Sequence, residues 1–86
     1  MFEPFPSHHI NRMKLIAQRC SKRGELDQAE IIYRNVIAIM EEYSEQPFHR
    51  LPVLYELATV LESANKREEL IGVVHRIRKV LFERAG

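Results

Sequence analysis

The side chains best suited to metal binding or nucleophilic chemistry in this chain are His8, His9, His49, His75 and Cys20. Neighbouring residues on a helix point about 100° apart, so His8 and His9 do not converge on one ion. No carboxylate or thiol stands at ligand spacing from them, and His49 and His75 fall in other segments. Cys20 occupies an apolar register, where a thiol packs as a small hydrophobe. A lone cysteine also excludes an intrachain disulfide. There is no Ser-His-Asp order and no paired-carboxylate site, and Gly24, Gly72 and Gly86 are too scattered to cradle a phosphate. These residues point away from an enzyme, with no cofactor and no metal expected.

Charge points to partners instead. The formal net charge over 86 residues is +1, too small for strong nonspecific attraction to nucleic acid or anionic membrane. Its placement is uneven. Arg12, Lys14, Arg19, Lys22 and Arg23 form a basic run with no acid, whereas Glu25, Asp27, Glu30, Glu41, Glu42 and Glu45 make the next stretch acidic. Either the charged edges of two antiparallel helices attract each other, or the basic run is a face for an acidic peptide or nucleic acid. The amino terminus lacks the basic and long apolar segments of a signal peptide, and no apolar run approaches a membrane span. A cytoplasmic protein with no membrane partner is the expectation.

Four amphipathic helices must position these groups, and they come in two similar pairs. Residues 1–7, with two prolines, form an extended arm; Phe2 and Phe5 either pack on a neighbouring helix or fray. Ser7 is the expected N-cap of a first helix reaching about Arg23, with Ile10, Met13, Ile16, Ala17 and Cys20 inside. A second helix spans about Leu26 to Tyr43, with Ala29, Ile32, Tyr33, Val36, Ile37, Met40 and Tyr43 in a stripe wide enough for two neighbours. Ser44 to Arg50 breaks the pattern, and Pro47 stops the helix. A third helix runs from Leu51 or Pro52 to about Ala64, and a fourth from Arg67 to Arg84.

The pairs superpose with an offset of forty-one residues, the interval between Gly24 and Asn65. These are the two residues best able to adopt the left-handed conformation that ends a helix. In register, Met13, Ile16, Ala17 and Cys20 match Leu54, Leu57, Ala58 and Leu61; Ala29, Tyr33 and Val36 match Leu70, Val74 and Ile77. All are small or apolar, which marks an internal repeat.

This pattern resembles the tetratricopeptide repeat (TPR), a helix-turn-helix unit with large and small apolar residues at fixed offsets. Ala17 and Ala58 match its first small position, Ala29 the second, and Tyr33 the aromatic one; Leu70 and Val74 depart from the pattern. The usual repeat has about 34 residues. The longer interval here is similar to that of kinesin light chain repeats, which also carry a Pro-containing stretch before an LA pair, here Leu57-Ala58. The resemblance implies an all-α fold of two tandem repeats, about 8–46 and 47–86, in one domain of four antiparallel helices stacked as a right-handed superhelix. It also implies a protein-binding scaffold whose groove is lined by the first helix of each pair. The groove positions are then Asn11, Lys14, Gln18 and Ser21 on the first helix and Tyr55, Thr59 and Glu62 on the third. Lys14 and Gln18 match only part of the family's carboxylate clamp, and Glu56 replaces an expected Asn with an acid that repels a carboxylate.

Two repeats are few, because each leaves an apolar side for the next to cover. The fourth helix is the most apolar, and Ile71, Val73 and Val80 lie off its expected Leu70-Val74-Ile77-Leu81 stripe. That excess either meets another chain, is hidden as the helix curls over its own neighbour, or marks where a further repeat follows in a longer protein. The leading functional expectation is a small adaptor or chaperone that binds a peptide or helix of a partner protein. The alternatives are a self-assembling homodimer module and a nucleic-acid-associated helical protein using the first-helix basics.

Overall fold

The computed structural model describes residues 6–43 and 47–85. The arm at residues 1–5, with Phe2 and Phe5, and the segment 44–46 lie outside the described residues. Helix α1 spans Ser7–Lys22, α2 Leu26–Glu42, α3 Leu51–Ser63 and α4 Arg67–Ala85; a 3₁₀ turn at Pro47–Arg50 leads into α3. No strand occurs among the described residues, and the fold is all-α.

Helix ends follow local chemistry closely. Ser7 is the first helical residue rather than the cap; Pro6 precedes the helix and its carbonyl accepts from the Ile10 amide at 3.0 Å. Pro52 sits in the first turn of α3, where no intrahelical donor is lost. Pro47 does not leave a featureless break, because its fixed φ is compatible with the 3₁₀ turn it opens.

The two interhelical turns are the same turn built twice. Gly24 has φ +81° and Asn65 φ +59°, the two positive values among the described residues. In the first turn Arg23 N–H donates to Arg19 O at 3.1 Å, Gly24 to Ser21 at 3.1 Å and Glu25 to Cys20 at 2.8 Å. In the second, Ala64 donates to Val60 at 2.9 Å, Asn65 to Glu62 at 3.1 Å and Lys66 to Leu61 at 2.9 Å. Every donor and acceptor has moved forward by the same forty-one residues. The bonds to Cys20 and Leu61, with those to Ser21 and Glu62, form a Schellman motif that satisfies carbonyls left over at each helix end.

Packing proceeds helix by helix along the chain, α1 on α2, α2 on α3 and α3 on α4. Alternate helices are joined by longer polar side chains. Lys66, just ahead of α4, and Arg76 within it reach Glu30 and Glu41 of α2, at 2.7 and 3.0 Å. The order along both helices is the same, so α2 and α4 run parallel in one layer. Gln18 of α1 donates to Glu56 of α3 at 2.8 Å, which puts those two helices in the other layer.

One core joins both pairs. Ala17, Ala29, Tyr33 and Val36 of the first pair and Leu54, Leu57, Leu61 and Ile77 of the second are buried in it; Met13, Cys20, Ala58 and Leu70 pack partly buried against it. Three expectations need correction, the first at Tyr43, expected in the α2 stripe but exposed. Ile16 is 48% exposed although it belongs to the repeat register, because it lies on the side of repeat one away from α3. On α4, Val73 and Val80 are buried, at 2% and 7% exposure, so they are core and not an interface. Val74 and Leu81, expected inside, are exposed, as is Ile71. The expected stripe has the register of α2, whose Tyr33 and Met40 are buried because α3 follows. No described element follows α4. Its buried arc is instead the one turned toward α3 and the 3₁₀ turn: Val73, Ile77 and Val80.

Candidate partner-binding groove

Between α1 and α3 lies an open cleft of about 200 Å³, lined by Gln18, Ser21 and Lys22 from α1, Glu56, Thr59 and Val60 from α3, and Tyr33 of α2. Three of the seven expected groove residues, Gln18, Ser21 and Thr59, meet there. Asn11, Lys14 and Tyr55 are on the same two helices but do not line it. Glu62 borders a different hollow of about 240 Å³ with Leu61, Lys66 and Leu70, beside the second turn.

The floor of the cleft is a small polar network that joins three helices. The Glu56 carboxylate accepts the 2.8 Å bond from Gln18 Nε2 and a longer one, 3.4 Å, from the Tyr33 hydroxyl. The first carries most of the strength, since hydroxyl bonds weaken well before 3.4 Å. Tyr33 is buried, and this burial pushes its hydroxyl up to about 12, with the Glu56 charge adding to the rise. Thr59 Oγ1 donates to the Tyr55 carbonyl one turn back at 3.0 Å. Tyr33, Lys22, Glu56 and Val60 were not among the expected groove residues. Glu56 stood out only as a misfit to the carboxylate clamp, and the structure gives the misfit a role: its charge holds the Gln18 amide that such a clamp would need free.

The opposite layer holds the other network. Lys66 Nζ bridges Glu30 at 2.7 Å and Asp27 at 3.0 Å, and Arg34 bonds Glu30 at 2.9 Å. The hydrogen bond from Lys66 holds the Glu30 carboxyl below its ordinary range, against a partial cost of burial. Lys66 is correspondingly raised, first by Glu30 and then by Asp27. Asp27, Glu30 and Glu41 therefore find their partners within α2, at Lys66 and on α4, and not on α1. Of the α1 basic run, Arg23 lies 3.9 Å from Glu25; Arg12, Lys14, Arg19 and Lys22 make no ion pair among the described residues.

His8, His9, His49 and His75 are exposed, and Cys20 is a free, partly buried thiol against the core. Among the described residues no cluster of His, Cys, Asp or Glu is placed to hold a metal, and no helix is long and apolar enough to cross a membrane. No protein-family model, curated protein or solved structure gives a significant match to this chain.

Proposed function

We propose that this chain is a protein-interaction module of the long-repeat TPR kind, acting in the cytoplasm, that holds a segment of a partner protein in the α1–α3 cleft. The observation that carries the reading is the cleft itself: a trough between the first helices of two repeats, on a floor fixed by the Gln18–Glu56 bond. Ser21, Lys22 and Thr59 offer it hydrogen-bonding groups, and an extended peptide has unpaired backbone amides and carbonyls to match them. Catalysis is not part of the proposal. Enzymes tune acids and bases toward neutrality, whereas the shifted groups here, Tyr33, Lys66 and Glu30, all move away from it.

A displayed library of random peptides, panned against the chain, tests this reading. Selected binders should weaken at least roughly tenfold when Ser21→Arg and Thr59→Arg fill the cleft, a loss of about 1.4 kcal/mol. Binders that ignore both substitutions would place recognition elsewhere. A second reading, a polynucleotide on α1, is favoured by Arg12, Lys14, Arg19 and Lys22, which make no ion pair among the described residues. It requires binding of RNA or DNA at low salt that falls steeply as salt rises, since phosphate contacts release counterions.

A further inference from the structure

The side of repeat one that receives α3 includes Tyr33, whose hydroxyl reaches Glu56, and Ile37 and Met40, which continue along α2 at helical spacing. All three are buried. Forty-one residues on, their counterparts are Val74, Arg78 and Leu81, and all three are exposed. The chain thus contains a worked example of what covers such a face. It is an amphipathic helix, α3, whose Val53, Leu57 and Val60 fall at i, i+4 and i+7 and are buried.

The second face has its own chemistry. Helical geometry brings Ile71, Val74, Leu81 and Phe82 into one exposed arc of α4, with Phe82 82% exposed. Arg67 and Arg78 lie in the same arc, exposed and with no ion pair among the described residues. Their counterparts in repeat one are Leu26 and Ile37, both packed into or against the core. Where the internal junction is apolar, this face presents two cations eleven residues apart.

We propose that the α4 arc docks an amphipathic helix of another protein, apolar along one stripe and acidic where it meets Arg67 and Arg78. At 1.5 Å per residue the two guanidinium groups stand about 16 Å apart along α4, so the matching acids lie about three turns apart on the partner. Charge argues against a second copy as the occupant. Docked as α3 docks, a copy would present α1, which carries Arg12 and Arg19 where α3 has Val53 and Val60. Paired through α4, it would add two more arginines and no acid to the arc. This surface is separate from the α1–α3 cleft, and the failure of either leaves the other standing.

Two synthetic helical peptides provide the test, both with Leu and Val in the spacing of Val53, Leu57 and Val60. One carries Glu at its remaining positions and the other carries Lys. The Glu peptide should shift the NMR amide signals of Ile71, Val74, Arg78 and Leu81 and bind at least roughly tenfold more tightly than its Lys twin. The double variant Arg67→Glu/Arg78→Glu, confined to exposed side chains, should reverse that preference. Binding by neither peptide overturns the proposal. So do shifts confined to α1 or to the cleft, equal affinity for both peptides, or a light-scattering mass showing that copies associate through this arc.

Discussion

The two helix pairs share one backbone design and differ in what surrounds it. Their turns repeat bond for bond, yet the same register positions have opposite fates. Leu57 is 0% exposed where its counterpart Ile16 is 48% exposed; Tyr33 is 2% exposed where Val74 is 37% exposed. Each pair has a side that faces forward along the stack and a side that faces back, and among the described residues the two sides meeting in the middle are the ones covered. Turn geometry is therefore a property of the local sequence, and burial is a property of the neighbour.

The sharpest way to break that comparison is to truncate the same position in both copies. Leu57→Ala removes a side chain from the middle of the core and should cost about 2–5 kcal/mol, the transfer term plus the cavity left behind. Ile16→Ala, at the uncovered end, should cost less than about 1 kcal/mol. Urea unfolding monitored by circular dichroism measures both. Equal losses would mean that something covers Ile16 in solution.

The turns allow the opposite test, in which the two copies should behave alike. Gly24→Ala meets no neighbouring atom within 4 Å, so its cost is purely that of placing a Cβ at φ +81°. That is about 1 kcal/mol. Asn65 already tolerates this region, and Asn65→Gly should be neutral or stabilising by a few tenths of a kcal/mol. If Gly24→Ala proved harmless in thermal melts, the left-handed turn would not be the stop signal assigned to it.

These differences explain what could be read from the residues alone. Helix limits and both turns were legible because proline, glycine, asparagine and apolar spacing act over a few residues. The 3₁₀ turn was not, since Pro47 forbids helix continuation without specifying what replaces it. The buried face of α4 was not legible, for a deeper reason. Val74 and Leu81 have the same type and spacing as buried residues of α2, and residue type does not state which neighbour a helix face meets. The pairing of Lys66 with Glu30 and of Gln18 with Glu56 was equally hidden, because both depend on the stagger between repeats. In the cleft, Gln18, Ser21 and Thr59 could be reached by counting outward from a helix stripe; Tyr33, reaching it from behind, could not.

The polar junctions allow finer discrimination, beginning with Tyr33. Its hydroxyl titrates near 10 when unfolded and at about 12 in the fold. The folded state thus holds the proton more tightly. The stability this contributes is complete below pH 10 and is lost as pH rises from 10 toward 12. Unfolding free energy should fall through that window by an amount on the order of 1 kcal/mol attributable to Tyr33. Tyr33→Phe should flatten part of the slope, with a smaller, solvent-screened part left to the raised Lys66. An unchanged alkaline profile in Tyr33→Phe would show that burial and Glu56 do not hold the hydroxyl above its ordinary range.

The smallest effect belongs to the solvent-facing junction of α2 and α4. Glu30 is held below its ordinary range chiefly by Lys66, so its contribution is present above the unfolded carboxylate pKa and disappears as pH falls through the lowered folded value. Lys66 remains charged throughout that acid range, so protonation of the carboxylate alone breaks the bridge. The stability difference between the native chain and Lys66→Met should therefore be visible at neutral pH, shrink as Glu30 protonates, and diminish with added salt because Lys66 is solvent-facing. A difference that persisted unchanged below the carboxylate range would assign the role of Lys66 to its aliphatic stem packing between the two helices, and the link between the repeats in that layer would be apolar after all.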